Sequence, residues 1–316
     1  MVTDTAEGAG TGRGSRADGP VAETEDARGS IADTAAQRAA KRRLAAFLTY
    51  GGLVVAAVAA SFPFVWMLFT SFMTRGETLR YVVVPASVEW RNYVRAWSEA
   101  NFALYFSNSL LIAAVQVGGT LLFSLMAAYP LARMQFRGRE TIFLIILATL
   151  MVPETATMVP NFLTVAWLHS HSPIPWLNSW PALTVPFMAS AFSIFLLRQF
   201  MRGLPGELWD AARLDGAGHV RFLFQIALPL CRAPLLTVGM FTFIGSWNAL
   251  GWPLLVTSTQ TWRPISVALL RFVEEAGAET QLQMAGAVIA TLPVLLLYAL
   301  IQKEFTAGIS VSGMKG

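Results

Sequence analysis

The sequence predicts an all-α membrane protein with six transmembrane helices, and three observations support this fold class. The 316 residues are 55% hydrophobic and only 13% charged, whereas soluble domains carry about 25% charged residues. Several stretches are apolar over the roughly 20 residues that a helix needs to cross a bilayer. The basic residues lie in short groups at the ends of these stretches, a distribution typical of membrane proteins and not of a nucleic-acid-binding surface.

Four of the six predicted spans are single uninterrupted apolar runs. The first runs from Leu44 to Met73 and the second from Phe102 to Ala132, and neither contains a charged residue. The fifth runs from Leu235 to Val256 and the sixth from Ala285 to Ile301. Each is long enough to form a membrane-crossing helix or most of one.

The third and fourth predicted spans come from one longer apolar stretch. Between Thr141 and Leu197 the only charged residue is Glu154, and this length is too great for one span. Three prolines within residues 169–181 interrupt the stretch. We therefore expect two helices, near residues 141–163 and 181–201.

The N-terminal segment differs from the rest of the chain. Residues 1–40 are rich in Ala, Gly, Thr and charged residues and show no apolar period, so we expect a disordered cytoplasmic tail. The first apolar run begins too late and is too long for a signal peptide. The membrane domain is expected to occupy residues 41–316.

The distribution of Lys and Arg predicts that both termini are cytoplasmic, because short cytoplasmic loops carry more positive charge. The flanks assigned to the cytoplasm carry Lys41, Arg42, Arg43, Arg133, Arg137, Arg139, Arg198, Arg202, Arg213, Arg221, Arg232, Lys303 and Lys315. The outer loops carry the shorter set Arg75, Arg80, Arg91, Arg95, Arg263 and Arg271.

A polar segment interrupts the apolar pattern between spans 4 and 5, at "DAARLDGAGHVRFLFQIALPL" (210–230). Pro205 suits a first helical turn, Glu207 and Asp210 suit a helix N-terminus, and Gly216 can supply a left-handed stop. The stretch "PGELWDAARLD" therefore predicts a short helix of about three turns. Helical spacing is expected to place five residues near one face of this helix: Leu204, Leu208, Ala211, Ala212 and Asp215. The two alanines would make that face flat. An amphipathic linker lying on the membrane surface is the alternative.

The spacing of this segment resembles the conserved cytoplasmic loop of ATP-binding-cassette importer permeases. The matching residues are Asp210-Ala211-Ala212, Gly216, Ile226 and Leu228-Pro229, with Asp210 standing where the family has Glu. Three further stretches are similar to the carbohydrate (maltose-type) branch: "WDAARLDGAG", "SWNALGWPLLV" (246–256) and "FTAGISVSGMKG" (305–316).

This resemblance implies one membrane subunit of an ATP-driven importer. Residues 204–229 would be a cytoplasmic coupling-helix loop that docks on a separate ATPase dimer, and the C-terminal tail would also lie against that dimer. The residues implied in coupling are Glu207, Asp210, Ala211, Ala212, Asp215 and Gly216. A second, related permease and an extracytoplasmic solute-binding protein would complete the transporter. The chain contains no phosphate-binding motif Gly-x-x-x-x-Gly-Lys-Ser/Thr, so we expect no enzymatic activity and no cofactor in this subunit.

A few polar residues in or beside the spans are candidates for the translocation path. Glu154 is one, because acids inside membrane helices are usually functional or paired. Asn108, Gln116 and Asn248 are others, although hydrogen bonding between helices is the commoner role of such side chains. His169 and His171 lack a third ligand nearby in sequence, which disfavours a metal site.

The sequence does not decide whether the cargo is a sugar or a glycerol phosphate. "MVPE" and "WRPISVALL" (262–270) resemble the glycerol-phosphate branch, but a phosphate favours basic groups in its path and no predicted span holds one. An ion-gradient-driven secondary transporter is an alternative, since that class shows internal repeats and buried coupling charges. A structural membrane protein is a third possibility, which leaves the spaced loop motif unexplained.

Overall fold

A computed structural model describes residues 21–80, 82–99, 101–274 and 279–312, and every regular element within these ranges is helical. The chain divides after Pro63 into two units. The first unit is helical from Val21, where helix α1 (Val21–Ser71) begins. The sequence predicts disorder over residues 1–40, of which 1–20 lie outside the described residues. Residues 21–40 are rich in Ala, Glu and Arg, which have high helix propensity.

The second unit, from Phe64 onward, holds the remaining α-helices of the described residues in chain order. These are α2 (Arg75–Leu79), α3 (Arg91–Glu99), α4 (Phe102–Arg133), α5 (Arg139–Thr149), α6 (Glu154–His171), α7 (Trp180–Thr184), α8 (Ala191–Arg202), α9 (Gly206–Leu214), α10 (His219–Phe222), α11 (Leu228–Leu230), α12 (Arg232–Trp247), α13 (Gly251–Val256), α14 (Ile265–Glu274) and α15 (Thr280–Ser312).

Helix α4 runs through the centre of this unit and packs against α8 and α12. One face of α4 buries small and polar side chains at helical spacing: Asn108, Ser109, Ala113, Gln116, Thr120, Ser124 and Ala128. Small residues allow membrane helices to approach closely. Gly119 shows how close the approach is, because a Cβ there would lie 2.6 Å from the Met188 side chain. Large apolar residues such as Leu111 and Leu122 lie exposed on other parts of α4, as expected for contact with lipid.

Three of the predicted spans coincide with single long apolar helices. The apolar segments Arg43–Ser71, Phe102–Arg133 and Thr280–Lys303 are each long enough to cross a bilayer as one helix. Three further segments are pairs of helices that meet at a bend, and the described residues give six spans if each pair counts as one.

The expectation that spans 3, 4 and 5 are continuous helices is wrong. Span 3 bends by 98° between α5 and α6, and span 4 bends by 44° between residues 180–187 and α8. The chain also bends by 81° between α10–α11 and α12. Predicted span 5 (235–256) crosses the end of α12 at Trp247 and continues into α13, so it too is broken.

Proline explains the first of these breaks. Pro153 lacks an N–H and disfavours helical backbone at the preceding residue, so α5 ends before it and α6 begins directly after it. The second break falls at residues 188–190, after the 3₁₀ turn Val185–Phe187 that contains Pro186, so no proline lies at that break. Pro130 and Pro293, in contrast, lie within α4 and α15. Proline composition alone therefore does not predict where a span breaks.

Side-chain oxygens fix two further loops of this unit by accepting backbone hydrogen bonds. The Asn178 Oδ1 atom accepts from the backbone N–H groups of Ser258 and Thr259, at 2.6 and 3.0 Å. In the 74–101 loop, Glu77 accepts from the backbone N–H groups of Thr74 and Ala86. These bonds hold the pKa of the Glu77 carboxyl below its usual value, because they favour its charged form.

Candidate functional site

The polar loop between α8 and α12 begins with a helix that ends in a left-handed glycine cap. Helix α9 spans nine residues, Gly206–Leu214, with Pro205 at its N-cap and Glu207 in its first turn. Gly216 has a φ of 77°. The Ala217 N–H donates to the Ala212 carbonyl at 2.8 Å, and the Gly216 N–H donates to the Arg213 carbonyl at 3.0 Å. This pair of bonds is the standard way in which a positive-φ glycine ends a helix.

The two alanines of α9 lie on different sides of the helix, which corrects the expectation of a single flat face. Ala212 is only 4% exposed and packs in a cluster with Leu204 and Leu208, its neighbours at four-residue spacing. Ala211 is exposed. The reason is that the apolar stripe at positions 204, 208 and 212 is needed to fasten the helix to its own chain.

The outward side of α9 is polar with one large apolar residue. Glu207, Asp210, Ala211 and Asp215 are all exposed, and Asp215 is the C-cap. Leu214 is 91% exposed, beside the glycine cap. Asp210 lies one turn into the helix and not in its first turn, so the helix dipole stabilises it less than the sequence suggests.

An aromatic cluster fastens this loop to the end of α4. The Trp209 ring stacks on His219, with centroids 4.3 Å apart and planes 14° apart, and its edge meets Phe222. The Tyr129 hydroxyl is 2.9 Å from His219 Nδ1. Arg133, at the end of α4, donates to the Leu204 and Pro205 carbonyls at 2.8 and 3.2 Å. The start of α9 therefore has a fixed position relative to α4.

A buried arginine joins the same region to α5. Arg198 of α8 is 1% exposed, and its Nη2 atom donates to both carboxylate oxygens of Glu140 at 2.7 Å. Its Nε atom donates to the Leu131 carbonyl at 3.0 Å, and its guanidinium lies 3.7 Å from the centre of the Phe143 ring. One side chain thus connects α8, α5 and the end of α4.

A cavity of about 440 Å³ lies among α4, α6, α8, α12 and α13. Two of the polar path candidates, Glu154 and Gln116, line it. Gln116 also donates to the Leu183 carbonyl at 2.7 Å, so its amide has a structural role. Glu154 is exposed at the start of α6, and no salt bridge joins it to another described residue.

The other path candidates lie elsewhere. Asn108 is buried and donates to the Thr261 and Arg263 carbonyls at 2.8 and 3.1 Å. These bonds join α4 to the segment before α14, a structural role close to the bonding between helices that the sequence offered as the alternative. Asn248 lines a second cavity, of about 460 Å³, with Ser266 and Thr291. In the part of the chain that the structure describes, no three His, Cys, Asp or Glu side chains converge as metal ligands.

Comparison with known proteins decides the family. The family described as "binding-protein-dependent transport system inner membrane component" matches residues 120–311, which include α9 and its glycine cap. The chain belongs to this family. It is a multi-pass inner-membrane transport permease, as the polar loop and the apolar spans led us to expect.

Curated permeases match most of the chain. The arabinooligosaccharides transport system permease AraQ of Halalkalibacterium halodurans is 32% identical over 274 residues, which are 85% of this chain and 96% of the relative. The lactose transport system permease LacG of Rhizobium radiobacter is 32% identical with the same coverage of both chains. The sn-glycerol-3-phosphate transport system permease UgpE of Yersinia enterocolitica is 33% identical over 72% of this chain and 82% of its own length.

A solved transporter has the same fold. The crystal structure of a bacterial ABC transporter involved in the import of the acidic polysaccharide alginate superposes with a TM-score of 0.72 at 23% identity. The alignment covers 83% of this chain and 96% of that one. This likeness shows the fold, and the family match leaves the alternative of a secondary transporter not favoured.

Several residues that shape these sites were missed in the sequence. Arg198 was counted only as a basic flank, although a charge within the apolar run "FLLRQFM" (195–201) is a signal of pairing. Trp209 precedes the recognised motif by one residue, and its stacking on His219 depends on a turn that the sequence does not specify. Ser246 lines the cavity, and nothing distinguishes it in sequence from other serines within spans.

Proposed function

We propose that this permease is one membrane subunit of an ATP-driven importer, and that residues 204–229 couple it to a separate ATPase dimer. The observation that carries this proposal is the exposed side of α9. It presents Glu207, Asp210, Ala211 and Leu214 to solvent on a helix that is itself fixed to the membrane domain. A rigid attachment on one side and an unpartnered surface on the other are what a force-transmitting element requires.

The exposed leucine favours docking over a resting position on the membrane. A helix lying on a bilayer turns its apolar stripe to the lipid, but the stripe of α9 at Leu204, Leu208 and Ala212 packs on the protein. Its exposed side carries the acids Glu207, Asp210 and Asp215 against the single base Arg213, and acids gain nothing from an anionic leaflet. A complementary protein surface suits both the acids and Leu214.

The family and its curated members support the remaining parts of the proposal. The transporter would include a second, related permease and an extracytoplasmic solute-binding protein, since the family is binding-protein-dependent. The cargo would be a sugar or sugar-like solute, because the relatives are named for arabinooligosaccharides, lactose and sn-glycerol 3-phosphate. Both termini of the chain would be cytoplasmic, in agreement with its positive charges.

A site-specific cross-link tests the coupling surface. Cys231 is the only cysteine of the chain and is buried, so a Cys231→Ser background allows one new thiol at a time. Leu214→Cys, labelled with a benzophenone maleimide in membranes that hold the whole transporter, should cross-link to the ATPase subunit on illumination. Ala212→Cys is the matched control on the same helix, because its position is buried and should give little product.

Two results would contradict the proposal. One is cross-linking of Leu214→Cys to lipid alone at full ATPase occupancy. The other is labelling of Leu214→Cys by a membrane-impermeant maleimide applied from outside the cell, while Ser87→Cys in the 74–101 loop is protected. That pattern would invert the topology and place α9 where no ATPase can reach it.

A further inference from the structure

Helix α3 is attached to the point at which the first membrane span ends. The apolar span within α1 ends at Ser71. The buried Asn92 amide of α3 donates to the Ser71 and Met73 carbonyls at 2.9 and 2.8 Å. The Tyr93 hydroxyl forms a further hydrogen bond of 2.7 Å with the Ser71 hydroxyl. The start of α3 therefore lies at the level at which this span leaves the membrane.

The rest of α3 contacts the beginnings of two other spans. The Trp97 ring centre is 6.1 Å from that of Phe102, the residue at which α4 and its span begin. Arg95 forms an ion pair of 3.6 Å with Glu279, and the span of α15 begins at the next residue, Thr280. Because three spans end beside one short helix, α3 lies along the boundary between lipid and water.

The side chains of α3 and of the turn before it form three stripes at helical spacing. The stripe that packs on the protein consists of Asn92, Tyr93 and Ala96. The exposed apolar stripe consists of Trp90, Val94 and Trp97, which are 62%, 54% and 42% exposed. The exposed polar stripe consists of Arg91, Arg95 and Ser98. At about 100° per residue, the centres of the three stripes lie roughly 120° apart around the helix.

This arrangement gives α3 one side for the protein, one for an apolar medium and one for a polar medium. Helices that lie in a membrane interface have large apolar residues on one face and Arg or Lys on the other, and tryptophan is enriched at that depth. The Trp97 ring is also 6.0 Å from the ring of Phe106, one turn further into the span of α4. The exposed apolar stripe is therefore continuous with the apolar surface of a membrane span, which favours lipid as its partner.

From these contacts we infer that α3 is an interfacial helix that binds membrane lipid. The stripe of Trp90, Val94 and Trp97 inserts among the acyl chains just beneath the headgroups. Arg91 lies in the headgroup layer, where a guanidinium forms strong hydrogen bonds with phosphate oxygens. Helix α3 thereby fixes the depth at which three spans meet the membrane surface. This inference is independent of the proposed coupling at α9, because it concerns a different segment and a different partner.

Nitroxide labels on the whole transporter, in nanodiscs of phosphatidylethanolamine and phosphatidylglycerol, test the inference. In the Cys231→Ser background, Val94→Cys places the label on the apolar stripe. Ser98→Cys is the matched control, one turn later on the polar stripe. Molecular oxygen partitions into lipid, whereas a water-soluble nickel chelate stays in the aqueous phase. We expect the ratio of oxygen collisions to nickel collisions to be severalfold higher at residue 94 than at residue 98.

A second variant and an activity measurement keep the test independent of one substitution. Trp90→Cys lies on the same apolar stripe and should give the same high ratio as Val94→Cys. ATP hydrolysis stimulated by loaded solute-binding protein shows that each labelled transporter is assembled.

Three results would overturn the inference. Equal collision ratios at residues 94 and 98 would place the apolar stripe in water. Few collisions of either reagent with the label at residue 94 would show that another chain, such as the second permease, covers the stripe. Oxygen collisions that disappear when loaded solute-binding protein is added would make the stripe a docking surface for that protein.

Discussion

Gly216 offers a graded test of how α9 works, because the structure separates its two possible requirements. A glycine can be needed for its positive φ or for the close approach of another group. The φ of 77° is present in this chain, and a Cβ built on Gly216 would meet no heavy atom within 4 Å. The conformational requirement therefore predominates within the permease.

The cost of each substitution follows from the backbone. An L-residue in left-handed conformation loses about 1–2 kcal/mol, which reduces the population of the capped loop by a factor of roughly 5–30. Asn tolerates this conformation well and ends many helices, whereas a β-branched side chain tolerates it poorly. We expect ATP hydrolysis stimulated by loaded solute-binding protein to decrease in the order Gly, Asn, Ala, Val at position 216.

Two measurements check the order. Hydrogen exchange at the Ala217 amide, which donates to the Ala212 carbonyl, should accelerate in the same sequence as the activity falls. Membrane abundance should stay constant, because the loop lies outside the apolar spans. Equal activity of Gly216→Val and the unaltered permease would refute the reasoning. A Gly216→Asn variant as inactive as Gly216→Val would show that a partner surface, and not the backbone, requires glycine.

Three further predictions concern the loop and its attachment. Asp210→Ala should weaken association with the ATPase in a pull-down while leaving the membrane abundance normal, and Asp210→Glu should be tolerated because both acids carry the same charge. Arg198→Met should lower the stability by about 1–3 kcal/mol, measured as a lower Tm of the detergent-purified protein, because it leaves the buried Leu131 carbonyl without its donor. A Tm unchanged by this substitution would show that Arg198 does not stabilise the fold. Tyr129→Phe should lower the free energy of unfolding by about 0.5–1.5 kcal/mol, because the bond to His219 is lost. Trp209→Ala should loosen the loop more and raise the rate at which the loop is cleaved by protease. Equal cleavage rates in Trp209→Ala and the unaltered permease would count against the aromatic anchor.

The sequence by itself determined the helical membrane class, the positions of three long apolar helices and the left-handed cap at Gly216. Each of these depends on local properties: the length of an apolar run, or the conformation that one residue prefers. The spacing from Asp210 to Pro229 also identified the family, because residues fixed at such intervals constitute a pattern independent of the surrounding fold.

Only the tertiary structure decided where spans 3 to 5 bend, which alanine of α9 is buried, and which polar residues share a cavity. In a membrane, lipid and protein surroundings are both apolar, so hydrophobic periodicity does not show which side of a helix faces the protein. A proline breaks one helix and is accommodated in another, according to what its neighbours supply. Glu154 and Ser246 meet at one cavity because α6 begins at a bend and α12 packs along α4, and neither event can be read from residues near them in sequence.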